Sequence, residues 1–154
     1  MQNRNLRGAI ILLIAALYIF SWLQDGTMMF IDLPNHTARA YAIGHLNLDP
    51  SLQERFVFTP SFTSYIGGDL FFAVLLLLFP LALGSKIFVI ISFLSLPAGM
   101  AYLLRSIRAP REQSDIIILL SLFLAANWFL LSAYLNFCLG LGISLVSLAW
   151  ALKL

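Results

Sequence analysis

The sequence predicts an all-α, polytopic membrane protein with about four transmembrane helices, five being possible, and two interfacial helices in its first outer loop. Three observations predict this class. Hydrophobic residues make up 61% of the 154 residues and charged residues 10%, against about 45–50% and about 25% in soluble globular domains. Nine basic and seven acidic side chains cannot cover a water-facing globule of this size. The charges are also segregated, leaving uncharged stretches at 8–24, 70–85, 87–104 and 116–152. Each is to be weighed against the ~20 apolar residues that cross a ~30 Å hydrocarbon core. The same numbers exclude a soluble enzyme and a disordered chain. The lone Cys138 excludes a disulfide framework. A net charge of +2, interrupted by apolar runs, gives no nucleic-acid footprint.

Residues 1–7 carry Arg4 and Arg7, which the positive-inside rule places in the cytoplasm. The first transmembrane helix follows at 8–24. It has no small-x-small cleavage site near Ser21, so it reads as an uncleaved anchor rather than a secretory signal. Residues 25–85 form an extracytoplasmic loop with interfacial helices at about 33–46 and 68–83. The second of these is apolar over 70–83 only, follows Gly67-Gly68-Asp69 and is broken by Pro80 and Gly84. That is too short to cross, so it should lie on or dip into the outer face. The next transmembrane helix covers 86–104, where Lys86 can snorkel to the outer headgroups. Arg105, Arg108 and Arg111 mark 105–114 as a cytoplasmic basic loop. If residues 70–83 crossed as well, these arginines would lie outside.

The stretch 116–152 would be roughly 55 Å long as one helix, so it must turn. Ser132, Tyr134 and Asn136 interrupt it, which gives transmembrane helices at 115–131 and 136–152 joined by an outer turn at 132–135. In this arrangement Asn127, Trp128, Tyr134 and Asn136 face the same side as the outer loop, where Asn136 can complete a pocket. Gly140, Gly142 and Ser144 form a small-residue stripe that lets another helix approach closely.

The polar chemistry gathers in the outer loop. Five of the seven acidic residues lie from Asp25 to Asp69, with both histidines and only Arg39 and Arg55 opposing them. Asp32 suits a helix N-cap, and Pro34 is tolerated in the first turn. Helical spacing then puts Asp32, His36 and Arg39 on one face. An acid, an imidazole and a guanidinium over two turns suit an anionic phosphate held by Arg39, with Asp32 positioning or deprotonating an acceptor. His36 equally suits a structural partner of Asp32, His45 a solvent-facing loop position, and Asp69 a cap at the start of the second interfacial helix. Asp32 and His36 alone leave a metal site incomplete, so no cofactor is expected and a divalent metal has no support. Charges are absent from the spans, which argues against an ion-coupled transporter.

This layout resembles the GT-C class of membrane glycosyltransferases, especially bacterial multispan proteins of that type. The residues carrying the resemblance are Asp32-Leu33-Pro34-Asn35-His36-Thr37-Ala38-Arg39 after the first span and Gly84-Ser85-Lys86-Ile87 opening the next. The turn from Arg105 to Arg111, and Tyr134-Leu135-Asn136-Phe137 with Gly140, support them. The resemblance implies a polyprenyl-phosphate-linked sugar donor used on the extracytoplasmic side. It also implies Asp32 as the catalytic residue, His36, Arg39 and Asn136 as substrate-binding residues, and residence in a bacterial inner or plasma membrane. Many members carry an acid in the next outer loop, where this chain offers Asn136. Members usually have eight or more spans, so the chain is expected to be the N-terminal part of a longer protein whose further transmembrane helices would be its partners, together with the lipid bilayer. The alternative is a non-catalytic multispan protein or assembly subunit whose Asp32 only caps a helix.

Overall fold

Proline and glycine punctuate the apolar runs, and the helices follow that punctuation. The computed structural model describes residues 2–24, 32–59, 66–126 and 134–153. Among them are seven helices and no strand: α1 Gln2–Gln24, α2 Leu33–His45, α3 Pro50–Gln53, α4 Ile66–Leu78, α5 Leu81–Ser106, α6 Arg111–Ala125 and α7 Leu135–Ala151. The fold is all-α. Among the described residues one helix, α5, is long and apolar enough to cross a membrane. Its 26 residues span about 39 Å at ~1.5 Å per residue, more than the ~30 Å core. Asn127, Trp128 and the first half of the turn expected at 132–135 lie outside the described residues, as does part of the aromatic segment before α4.

Side-chain contacts fix how the long helices run. Tyr18 meets Phe93 with ring centroids 5.7 Å apart, and Lys86 Nζ donates to Leu23 O at 3.0 Å, so α1 and α5 are antiparallel. Ser95 Oγ lies 2.8 Å from Cys138 O and Gly99 sits against Gly142, so α5 and α7 run the same way. Arg7 pairs with Glu112 at 3.5 Å, which sets the starts of α1 and α6 side by side. The long helices therefore alternate between two ends. One end holds Arg7 and the α5–α6 turn; the other holds the end of α1 and the start of α5.

Close approach along α5 depends on missing side chains. A Cβ on Gly99 would stand 2.6 Å from Gly142 O, and one on Gly142 would meet the Ser95 backbone at 2.5 Å. Such backbone contact lets the two helices gain dispersion attraction that larger side chains would block. Of the expected small-residue stripe, Gly142 alone fills this role. Gly140 has open space around it and the Ser144 hydroxyl turns back to Gly140 O, so the expected stripe narrows to a single position.

Two helix boundaries differ from expectation. The helix expected over 68–83 stops at Leu78, because Pro80 supplies no N–H and starts α5 at Leu81. The chain then doubles back: Phe72 stacks on Phe88 at 4.2 Å, and Gly84 fits against Leu75 and Leu76. So α4 packs antiparallel against the first turns of α5. The basic loop expected over 105–114 shrinks to 107–110, because α5 runs on to Ser106 and Pro110 caps α6. Lys86 donates to a carbonyl at the end of α1.

Candidate functional site

Three elements meet where α4 and α7 begin. Helix α2 packs along α4, with Gly44 against Ala73 O. Asp69 occupies the first turn of α4 and is 4% exposed. A buried carboxylate is tolerated only when paired and hydrogen-bonded, and this one is. Arg39 Nε donates to its Oδ2 at 2.7 Å, Arg39 Nη2 to its Oδ1 at 3.0 Å, and Asn136 Nδ2 to Oδ1 at 3.2 Å. The two-pronged geometry is the one a guanidinium fork makes best. Burial pushes the Asp69 carboxyl up. The donors around it and the Arg39 charge outweigh burial, so its pKa lies below the ordinary carboxylate value.

Asp69 is the residue that sequence reasoning misplaces. It is no simple cap: it ties α2, α4 and α7 together. Gly68 makes room for this, since a Cβ there would overlap the Asn136 amide.

The network continues outward along α2. The second proton of Arg39 Nη2 reaches His36 Nδ1 at 2.9 Å. A guanidinium only donates, so Nδ1 accepts and the imidazole proton sits on Nε2. Nδ1 and Asp69 Oδ1 are 3.6 Å apart, too far to bond directly; the same Nη2 serves both. His36 Nε2 points at Asp32 Oδ2, 3.4 Å away, and Asn35 Nδ2 donates to Asp32 Oδ1 at 2.7 Å. Asp32 sits at the N-cap position of α2, yet its side chain makes no cap bond. Its carboxylate is aimed by Asn35 and His36 and remains 47% exposed. The structure thus joins Asp32, His36, Arg39 and Asn136 in one chain of contacts, with Asp69 as the link that spacing along α2 could not reveal.

One expectation changes. Arg39 is not an uncommitted anion receptor, because Asp69 holds two of its nitrogens. Its Nη1 has no partner among the described residues, and the side chain is 49% exposed. With Asp32 and Asp69 against one arginine, the cluster carries net negative charge. His45 also differs from expectation: it ends α2, half-buried, stacked on Tyr41 at 4.0 Å.

Beside Arg39 and Asp69 opens a cavity of about 610 Å³ walled chiefly by Ala42, Ile43, Phe56, Phe58 and Ile66. The aromatic residues after α3 therefore close a groove whose polar end is the Arg39–Asp69 pair. Among the described residues no three of His, Cys, Asp and Glu stand where they could hold a metal ion. No protein-family model, curated protein or solved structure matches the chain.

Proposed function

We propose that this chain is part of a polytopic membrane glycosyltransferase of the GT-C type, acting on a polyprenyl-phosphate-linked sugar at the extracytoplasmic face, with Asp32 as its catalytic carboxylate. The observation that carries the reading is the half-exposed Asp32 carboxylate, oriented by His36, which is in turn fixed by the Arg39–Asp69 pair. Such a carboxylate takes the proton of an acceptor hydroxyl as that oxygen bonds to the sugar's anomeric carbon. The bond from that carbon to the phosphate oxygen breaks, and polyprenyl phosphate leaves. Of the Arg39 nitrogens, Nη1 is the one left to donate to that phosphate, and the apolar cavity suits the first units of a prenyl chain.

Residence in a membrane has its own support. Leu12 is 72% exposed, and Leu13, Leu17, Ile143 and Trp150 are exposed along the outer faces of α1 and α7. Apolar surface of that extent suits lipid. The alternation of α1, α5, α6 and α7 between two ends fits four crossings. The basic starts of α1 and α6 then lie together in the cytoplasm, and α4 is a half-depth helix at the outer side. A bacterial inner membrane is the membrane this reading implies.

The test is transfer by the full-length protein in isolated membranes, from polyprenyl-phosphate hexoses, read as released polyprenyl phosphate. Asp32→Asn should lower release by 10²-fold or more while the folded fraction stays constant. Wild-type release by the variant would remove Asp32 from the chemistry. A second reading rests on one observation, the commitment of the Arg39 charge to Asp69: a non-catalytic subunit in which the network is a clamp. Under it, no donor is consumed by wild type or variant.

A further inference from the structure

At the opposite end of the molecule, the turn between α5 and α6 encloses a second cavity of about 640 Å³. Arg105, Arg108 and Arg111 line it together with the apolar Ala101, Leu104 and Ile118. Among the described residues none of the three guanidiniums has a carboxylate within salt-bridge distance. Asp115 also lines the cavity without pairing to any of them, and Glu112 pairs with Arg7. The cavity therefore holds an excess of positive charge. Arg108 reaches it from a left-handed backbone at φ 53°, a conformation that side-chain-bearing residues adopt at a cost.

Topology alone asks for basic residues on this side but not for their convergence on one concave site. From this convergence we infer that the α5–α6 turn binds the phosphate of an anionic glycerophospholipid. The three converging guanidiniums match a phosphodiester, as in basic pockets between transmembrane helices. The apolar lining of Ala101, Leu104 and Ile118 suits the glycerol end of acyl chains and is of no use to a free phosphate ion. The inference rests on the membrane reading above but not on the glycosyltransferase reading.

The test uses the whole protein purified in neutral detergent and titrated with phosphatidylglycerol, phosphatidylcholine or inorganic phosphate, with retained lipid read by native mass spectrometry. Phosphatidylglycerol should be retained over phosphatidylcholine. Each of Arg105→Gln, Arg108→Gln and Arg111→Gln should weaken that preference by about fivefold, with helical content unchanged. Arg55→Gln, outside the cavity, should leave it intact. Equal retention of the two lipids, displacement by millimolar inorganic phosphate, or an equal loss in Arg55→Gln would each overturn the inference. Carbonate extraction of the unmodified protein separates the two failures: a protein stripped from membranes overturns the membrane reading too, whereas a carbonate-resistant protein without lipid preference overturns only this site.

Discussion

The two polar ends of this molecule treat charge in opposite ways. At the start of α4, Asp69 is buried, and each of its oxygens accepts at least one hydrogen bond. At the α5–α6 turn three arginines stay exposed, and none is paired with a carboxylate among the described residues. The first arrangement holds helices together; the second leaves charge available to something outside the chain. The difference teaches that the number of charged residues is a poor guide to function here. What separates structural from available charge is whether partners close around it.

The strongest way to break the comparison is to unpair the buried end. Arg39→Ala leaves the Asp69 carboxylate without its fork and should destabilise the fold by about 2–3 kcal/mol. That is below the ~3–5 of a fully buried pair, because Arg39 is half exposed and water can partly replace it. Unfolding in detergent would measure this. The double change Arg39→Met with Asp69→Leu should recover most of the loss, since an apolar pair of similar volume avoids the buried charge. An Arg39→Ala variant as stable as wild type would make the pair a surface contact. Next in size, Gly68→Ala should cost about 1–3 kcal/mol by driving Asn136 off Asp69. Adding Asn136→Ala should relieve part of that cost, because the overlap disappears with the side chain.

These effects also mark what the sequence could disclose. Helix order is legible because charged residues separate apolar runs that have few alternatives to helix, although the start of α5 just after Pro80 is not legible in this way. The Asp32, His36 and Arg39 face of α2 is legible because i, i+3 and i, i+4 neighbours meet on any helix. Asp69 is different. It lies 30 residues from Arg39 and 67 from Asn136, and only the reversal at Pro80 with the docking of α2 brings them together. One signal did point to it. A lone acid opening an apolar run is costly unless paired, and Arg39 and Arg55 are the only basic residues in that loop. The packing of α4 against α5 was hidden for a related reason, since hydropathy and length do not say against what a short apolar helix packs.

Acid sharpens the comparison more gently. The Asp69 carboxyl has its pKa depressed in the folded protein. Its contribution is therefore fully present above its unfolded value of about 3.9 and is lost as pH falls through the lower folded value. Stability should be flat in this respect from pH 7 to about 5, and should decline below about 4. Asp69→Asn should start lower and show a shallower decline, a difference that thermal unfolding at matched ionic strength would resolve. Equal acid slopes in the two proteins would mean that the pairing at the start of α4 does not govern acid stability.

The smallest expected effect is at the other end and has the opposite sign. Arg108 holds a left-handed backbone that glycine adopts without penalty, so Arg108→Gly should stabilise the protein by up to about 1 kcal/mol. The entropy that glycine adds to the unfolded chain takes back part of that gain. The same change removes one of the three guanidiniums from the cavity, so stability and phosphatidylglycerol retention should move in opposite directions. A fold that keeps a strained arginine at an exposed turn, where glycine would serve the backbone better, is trading stability for that side chain's position. If Arg108→Gly lowers stability instead, the guanidinium is bracing the turn itself, and the contrast between a closed end and an open one loses its second half.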